Sequence, residues 1–115
     1  MIRRPPRSTQ SRSSAASDVY KEAIVNKGIL EFPNSSNLYR HKGNIFLSLN
    51  LFNEAEKQYR IAIEKNPQNP WNYIGLGVSL ALQNKIQEAI EAYNNALTLE
   101  PNNSVALDLL TKIKN

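Results

Sequence analysis

Apolar and small residues recur along this chain at spacings of three and four, in blocks that proline closes at regular intervals. Tyr39, Gly43 and Phe46 share one helical face, and after Asn50 a second face carries Phe52, Ala55, Tyr59, Ala62 and Ile63. The arrangement then returns 34 residues later. Tyr73, Leu76, Gly77 and Leu80 come first, then Asn84, then Ile86, Ala89, Ile90, Tyr93, Ala96 and Leu97. Pro33, Pro67 and Pro101 stand 34 apart, and Glu54–Ala55 returns as Glu88–Ala89. A period of this length predicts helix–turn–helix units stacked into a solenoid, each burying its apolar face on its neighbours.

Local signals set the boundaries. Residues 22–35 read as the second half of a partial repeat, with Ala23, Ile24, Ile29 and Leu30 as its apolar face and Phe32–Pro33 as its stop. A full repeat covers 36–69, with Ser35 or Ser36 as the cap of its first helix. Another covers 70–103, where Asn69 caps and Pro70 occupies the first turn at little cost. Asn50 and Asn84 are expected in the left-handed conformation that closes helices. Glu56 and Arg60 form an i, i+4 pair in the favourable order. A last helix over 104–115 starts apolar, with Ala106, Leu107 and Leu110, and turns polar at Thr111 and Lys114, as a capping helix does.

This pattern resembles the tetratricopeptide repeat over about 22–115. The small positions are Gly43, Ala55 and Ala62, then Gly77, Ala89 and Ala96. The large positions are Tyr39, Phe46 and Tyr59, then Tyr73, Leu80 and Tyr93, and the closing prolines are Pro67 and Pro101. Lys42 stands where leucine is usual and Leu80 where an aromatic is usual. The resemblance implies an all-α fold, a right-handed superhelical solenoid of antiparallel helix pairs, here two full repeats flanked by half repeats. It also implies why these residues recur: glycine and alanine let paired helices approach, tyrosines fill the space between repeats, and prolines fix the turn.

In that family the first helices of successive repeats line a groove that holds a peptide or a partner helix. The corresponding positions are Asn37, Arg40, Asn44, Leu47 and Ser48 from one repeat, then Trp71, Ile74, Val78, Ala81 and Leu82 from the next, with Val105 and Asp108 extending the surface. The first set is polar and the second apolar. Exposed aromatics mark interfaces, and Trp71 is the one tryptophan; packing on the helix-start turn is its alternative role. Family members that bind acidic chaperone tails use a carboxylate clamp that opens with a cation and an asparagine four residues later. Arg40 and Asn44 have this spacing. The remaining clamp positions carry Gly75, Val105 and Leu109, so only its opening half is present.

Charge separates the repeats from what precedes them. Residues 1–21 hold five basic groups and one acid, whereas 22–115 hold nine of each, so the net charge of +4 belongs to the leader. The charge argument for nucleic-acid binding fails for the repeats. The leader is rich in Arg and Ser, contains Pro5–Pro6 and lacks apolar periodicity, which predicts disorder. It fits an organelle presequence, a basic tail, or translated sequencing-adapter read-through fused near Lys21–Glu22. The third is preferred, because Lys21 stands where Ala55 and Ala89 recur and the period fails upstream. The leader is therefore not trusted as a targeting signal, and the cytoplasm is the default compartment.

Catalysis finds no support. The chain has no cysteine, one histidine (His41), no phosphate-cradling glycine loop and no plausible Ser–His–acid set. No metal or cofactor is expected, and no apolar run approaches the ~20 residues of a membrane span. The reading is a non-catalytic protein-interaction scaffold whose partner is a protein or peptide. The alternative is a recruiting or regulatory segment of a larger enzyme, such as a transferase, or of an assembly factor, cut at its N-terminus. Self-association through the exposed first helix is a further expectation.

Overall fold

The computed structural model describes residues 6–114, with side chains from residue 17 onward. The first five residues of the expected leader, and Asn115, lie outside the described residues. Among the described residues six helices follow one another: α1 (Pro6–Glu31), α2 (Ser36–Ser48), α3 (Phe52–Lys65), α4 (Pro70–Leu82), α5 (Ile86–Leu99) and α6 (Ser104–Lys114). The α2–α3 and α4–α5 pairs are the two complete repeats, and each helix packs chiefly on its neighbours in the chain.

The turns inside the repeats follow from their sequence. Asn50 and Asn84 have φ of 62° and 64°, the left-handed conformation expected of them. Asn69 caps α4 through its Oδ1, which accepts the Trp71 N–H at 3.0 Å, and Pro70 fills the first turn. Neither serine caps α2. Ser35 is at the N-cap without a side-chain bond, and Ser36 donates its hydroxyl to the Ala62 carbonyl at 2.8 Å. Ser36 therefore ties its repeat's first helix to the end of its second.

The core repeats with the same period. Ala55, Tyr59, Ala62, Ala89 and Ala96 are wholly buried, and Tyr93 nearly so. A Cβ placed on Gly43 would lie 2.9 Å from the Tyr59 ring, and one on Gly77 would overlap the Tyr93 ring. Glycine at these positions is thus required by ring contact across each helix pair. Burying such large side chains contributes about 1.5–3 kcal/mol each. Between repeats a second joint recurs: Gly28 packs on Leu38, Ala62 bonds Asn72, and Ala96 packs with Ala106.

The α1 helix departs from expectation twice. It runs unbroken through Lys21, where the disordered leader was expected to end. No Gly or Pro falls between Arg7 and Lys27, and its Arg, Ser, Ala and Gln residues tolerate a helix. Its expected apolar face is also largely exposed: Ala23, Ile24 and Leu30 face solvent, while Val25, Gly28 and Ile29 are half-buried.

Candidate functional site

The first helices α2, α4 and α6 stand in register. The α2 and α4 helices touch directly, and Ile74 of α4 shares a core cluster with Ala96 of α5 and Ala106 of α6. The polar end of the expected groove lies on α2. Asn37 is exposed and accepts a bond from Arg40 Nη2 at 3.3 Å. Arg40 is half-buried, and its Nε is buried without a hydrogen-bond partner. Asn44 is exposed and accepts the Tyr59 hydroxyl at 2.5 Å. Burial keeps that phenol protonated well above the usual tyrosine range, with the Arg40 charge pulling weakly the other way. Ser48 donates to the Ile45 carbonyl at 2.8 Å and to Asp18 at 3.2 Å. The polar wall is therefore held from below by Tyr59, a link that sequence spacing did not reveal.

The apolar end divides into two groups. Trp71 and Leu82 are 44% and 52% exposed. Leu47, Val78 and Ala81 are half-buried and pack against the main core. Ile74, expected in the groove, is 5% exposed and sits in a core cluster with Ala96 of α5 and Ala106 of α6, against which Leu109 packs. Farther along, Val105 is exposed, and Asp108 pairs with Lys112 at 3.1 Å.

The positions where the resemblance would place the rest of a clamp are occupied by packing contacts. At Gly75 a Cβ would collide with the Tyr59 ring, so an asparagine has no room there. Leu109 is half-buried in the core rather than presented as a cation. His41 is exposed and Lys42 lies 5.8 Å over the Phe46 ring.

Two repeats of period 34, their glycine–tyrosine contacts and their left-handed asparagine turns are joined by a direct match: residues 71–103 fit the family model described as tetratricopeptide repeat. The chain carries a tetratricopeptide repeat and has the tetratricopeptide-repeat fold. The chain is 39% identical over 59 residues to a peroxisomal targeting signal receptor of Kluyveromyces lactis, covering 51% of this chain and 10% of that protein. It is 36% identical over 64 residues to the probable UDP-N-acetylglucosamine–peptide N-acetylglucosaminyltransferase SPINDLY of Arabidopsis thaliana, covering 56% of this chain and 7% of that one. The chain thus spans a tenth or less of either relative. Among solved structures, the first tetratricopeptide domain of Spaghetti (RPAP3) bound to the HSP90 peptide SRMEEVD superposes with a TM-score of 0.82 at 25% identity, over 91% of this chain and 83% of that one. Among the described residues, no helix is long and apolar enough to cross a membrane.

Proposed function

We propose that this tetratricopeptide-repeat chain is a non-catalytic scaffold that holds a peptide or helix of a partner protein along α2, α4 and α6. The likeness to a peptide-bound domain supports a protein-interaction role. The observation that carries the finer reading is the exposed pair Trp71 and Leu82 on α4, next to a polar wall with Arg40 as its cation. A partner of this chemistry docks an apolar face on α4 and places a hydrogen-bonding end against Asn37, Arg40 and Asn44.

Trp71, the single tryptophan, is a built-in reporter. The full chain is titrated with SRMEEVD and, separately, with a leucine-rich amphipathic helical peptide, following Trp71 fluorescence. The apolar peptide is expected to bind more tightly and to persist at about 0.3 M salt, which shortens screening below ~10 Å. Tight SRMEEVD binding that vanishes with Arg40→Ala would replace this reading with ionic recognition of an acidic tail.

A second reading is favoured by the likeness to SPINDLY: the repeats recruit substrate for a catalytic domain of a larger protein. The source gene tests it directly. A transferase domain in frame with these repeats supports it, and an open reading frame holding repeats alone opposes it.

A further inference from the structure

Between the second helices α3 and α5 lies an open cleft of about 270 Å³ with α4 as its floor. Arg60 and Ile63 of α3 form one wall, and Glu88, Glu91 and Ala92 of α5 form the other. The floor is Tyr73, Leu76 and Leu80, of which the two leucines are buried. Trp71, Val78 and Leu82 each stand two positions from one of these floor residues, which places them on the opposite side of α4. The cleft is therefore separate from the groove along α2, α4 and α6.

The 34-residue period supplies a comparison within the chain. Where α5 carries Glu91 and Ala92, α3 carries Lys57 and Gln58. The exchange turns a positive position negative and takes a long side chain out of the wall. Tyr73 differs from its counterpart as well. Tyr39 donates its hydroxyl to the Pro33 carbonyl at 3.0 Å, whereas the Tyr73 hydroxyl makes no hydrogen bond among the described residues. The charges at the cleft do not cancel. Arg60, the cation in its wall, is held by Glu56 at 2.9 Å through Nε and 2.8 Å through Nη2, and lies 3.8 Å from Glu88. Lys85 pairs with the same Glu56 at 3.5 Å. Glu91 is exposed and has no ion-pair partner among the described residues, so its negative charge is unmatched.

We infer that this cleft takes a lysine side chain of a partner protein, at a second docking point behind the groove. Size and charge select this occupant. The cleft is smaller than the ~300–1,000 Å³ of a small-molecule site, and it suits one long side chain. Its floor is apolar and its rim acidic, which matches a lysine along its length. The methylene stem lies on Leu76, Leu80 and Ala92, and the ammonium stays at the wet rim. An ammonium carries three donors and no acceptor, and the rim offers it Glu88, Glu91 and the amide oxygen of Asn95. Arginine fits less well, because its larger planar head has to be seated beside the Arg60 guanidinium.

The probe is a blocked alanine- and serine-rich peptide with one central lysine flanked by leucines. It is titrated into the isotope-labelled full chain and followed by amide NMR. Shifts are expected at Glu91, Ala92 and Asn95, and not at Asn37, Asn44 or Leu82 in the groove. Changing the peptide's lysine to arginine or norleucine is expected to weaken binding, and changing it to glutamate to abolish it. Glu91→Gln should lower affinity by up to about fivefold, the range of an exposed charge pair. Glu91→Lys should lower it further. That variant gives α5 the residue that α3 already carries at an exposed position, so the fold tolerates it. A lysine peptide that shifts no cleft residue, or shifts only groove residues, overturns the inference. So does a norleucine or arginine peptide that binds as tightly as the lysine one, and so does an affinity unchanged by Glu91→Lys.

Discussion

The ring of Tyr59 lies against the backbone of Gly75, so closely that even a methyl group on Gly75 would overlap it. Tyr59 belongs to one repeat and Gly75 to the next. The same ring also faces Gly43 within its own repeat. One side chain thus sets both the packing inside a helix pair and the spacing between pairs.

Gly75→Ala is therefore expected to destabilise the chain by about 1–3 kcal/mol, the usual cost of overpacking. Urea midpoints measure it, and Tyr59→Leu in the same chain should recover part of the loss. An additive double variant would show that the two residues do not meet.

Ala89→Leu tests the equivalent close approach in the second complete repeat. Ala89 is wholly buried between helices, so an enlarged side chain has to part them. A loss of about 1–3 kcal/mol is expected. An unchanged urea midpoint would mean that α4 and α5 do not pair there.

Asn72 is fully buried, and its amide nitrogen donates to Ser36 Oγ, the Ala62 carbonyl and the Asn66 carbonyl at 2.9, 3.2 and 3.1 Å. Asn72→Ala leaves the Asn66 carbonyl short of a donor, at an expected cost of about 1–3 kcal/mol. Adding Ser36→Ala should cost less than the two changes separately, because both remove one network. Thermal melts of the four chains give the coupling.

Glu56 links three elements. Its carboxylate accepts from Gln83 at 2.9 Å, pairs with Arg60 at 2.8 Å and lies 3.5 Å from Lys85. Burial alone would raise its pKa, but the bonds from Gln83 and Arg60 and the charges of Arg60 and Lys85 outweigh it, so the net shift is downward. A carboxylate with a lowered folded pKa stabilises the fold above its unfolded value of about 4.3 and loses that contribution as pH falls through the folded value. The stability gap between wild type and Glu56→Gln should be widest near neutral pH and close in acid. A gap that ignores pH would assign the loss to packing.

For partner binding, Leu82→Glu is the informative change. Leu82 is exposed, so a charge there spares the fold while meeting the partner's apolar face. Affinity for the amphipathic peptide should fall at least about tenfold, the equivalent of ~1.4 kcal/mol. Val78→Glu serves as the contrast. Val78 packs on the core, so that variant should lose stability first, in a melt run without peptide.

What sequence made legible were the rules that act within one repeat. Asn50 and Asn84 turn the chain, Asn69 caps α4, and Gly43 and Gly77 admit tyrosines, all through partners at fixed short spacing. The misses share a different cause. Ser36 bonds a residue 26 positions away and Asn72 one 36 positions away, so neither local context nor period announces them. Ile74 occupies a groove position by register, yet it is buried in a cluster with Ala96 and Ala106. The helix in α1 carries no clean apolar stripe, so periodicity could not mark its start.

The contact between Tyr59 and Gly75 also fixes the order of the units. Duplication and deletion of whole repeats is the natural way for such a chain to change length, since helices meet only near neighbours. Excising residues 70–103 would be such a deletion, and it preserves every turn signal. It would also slide Leu109 into the place of Gly75, onto a ring that tolerates no side chain there. These repeats are thus not interchangeable parts: any shortened descendant has to trade away Tyr59, or Leu109, in the same step.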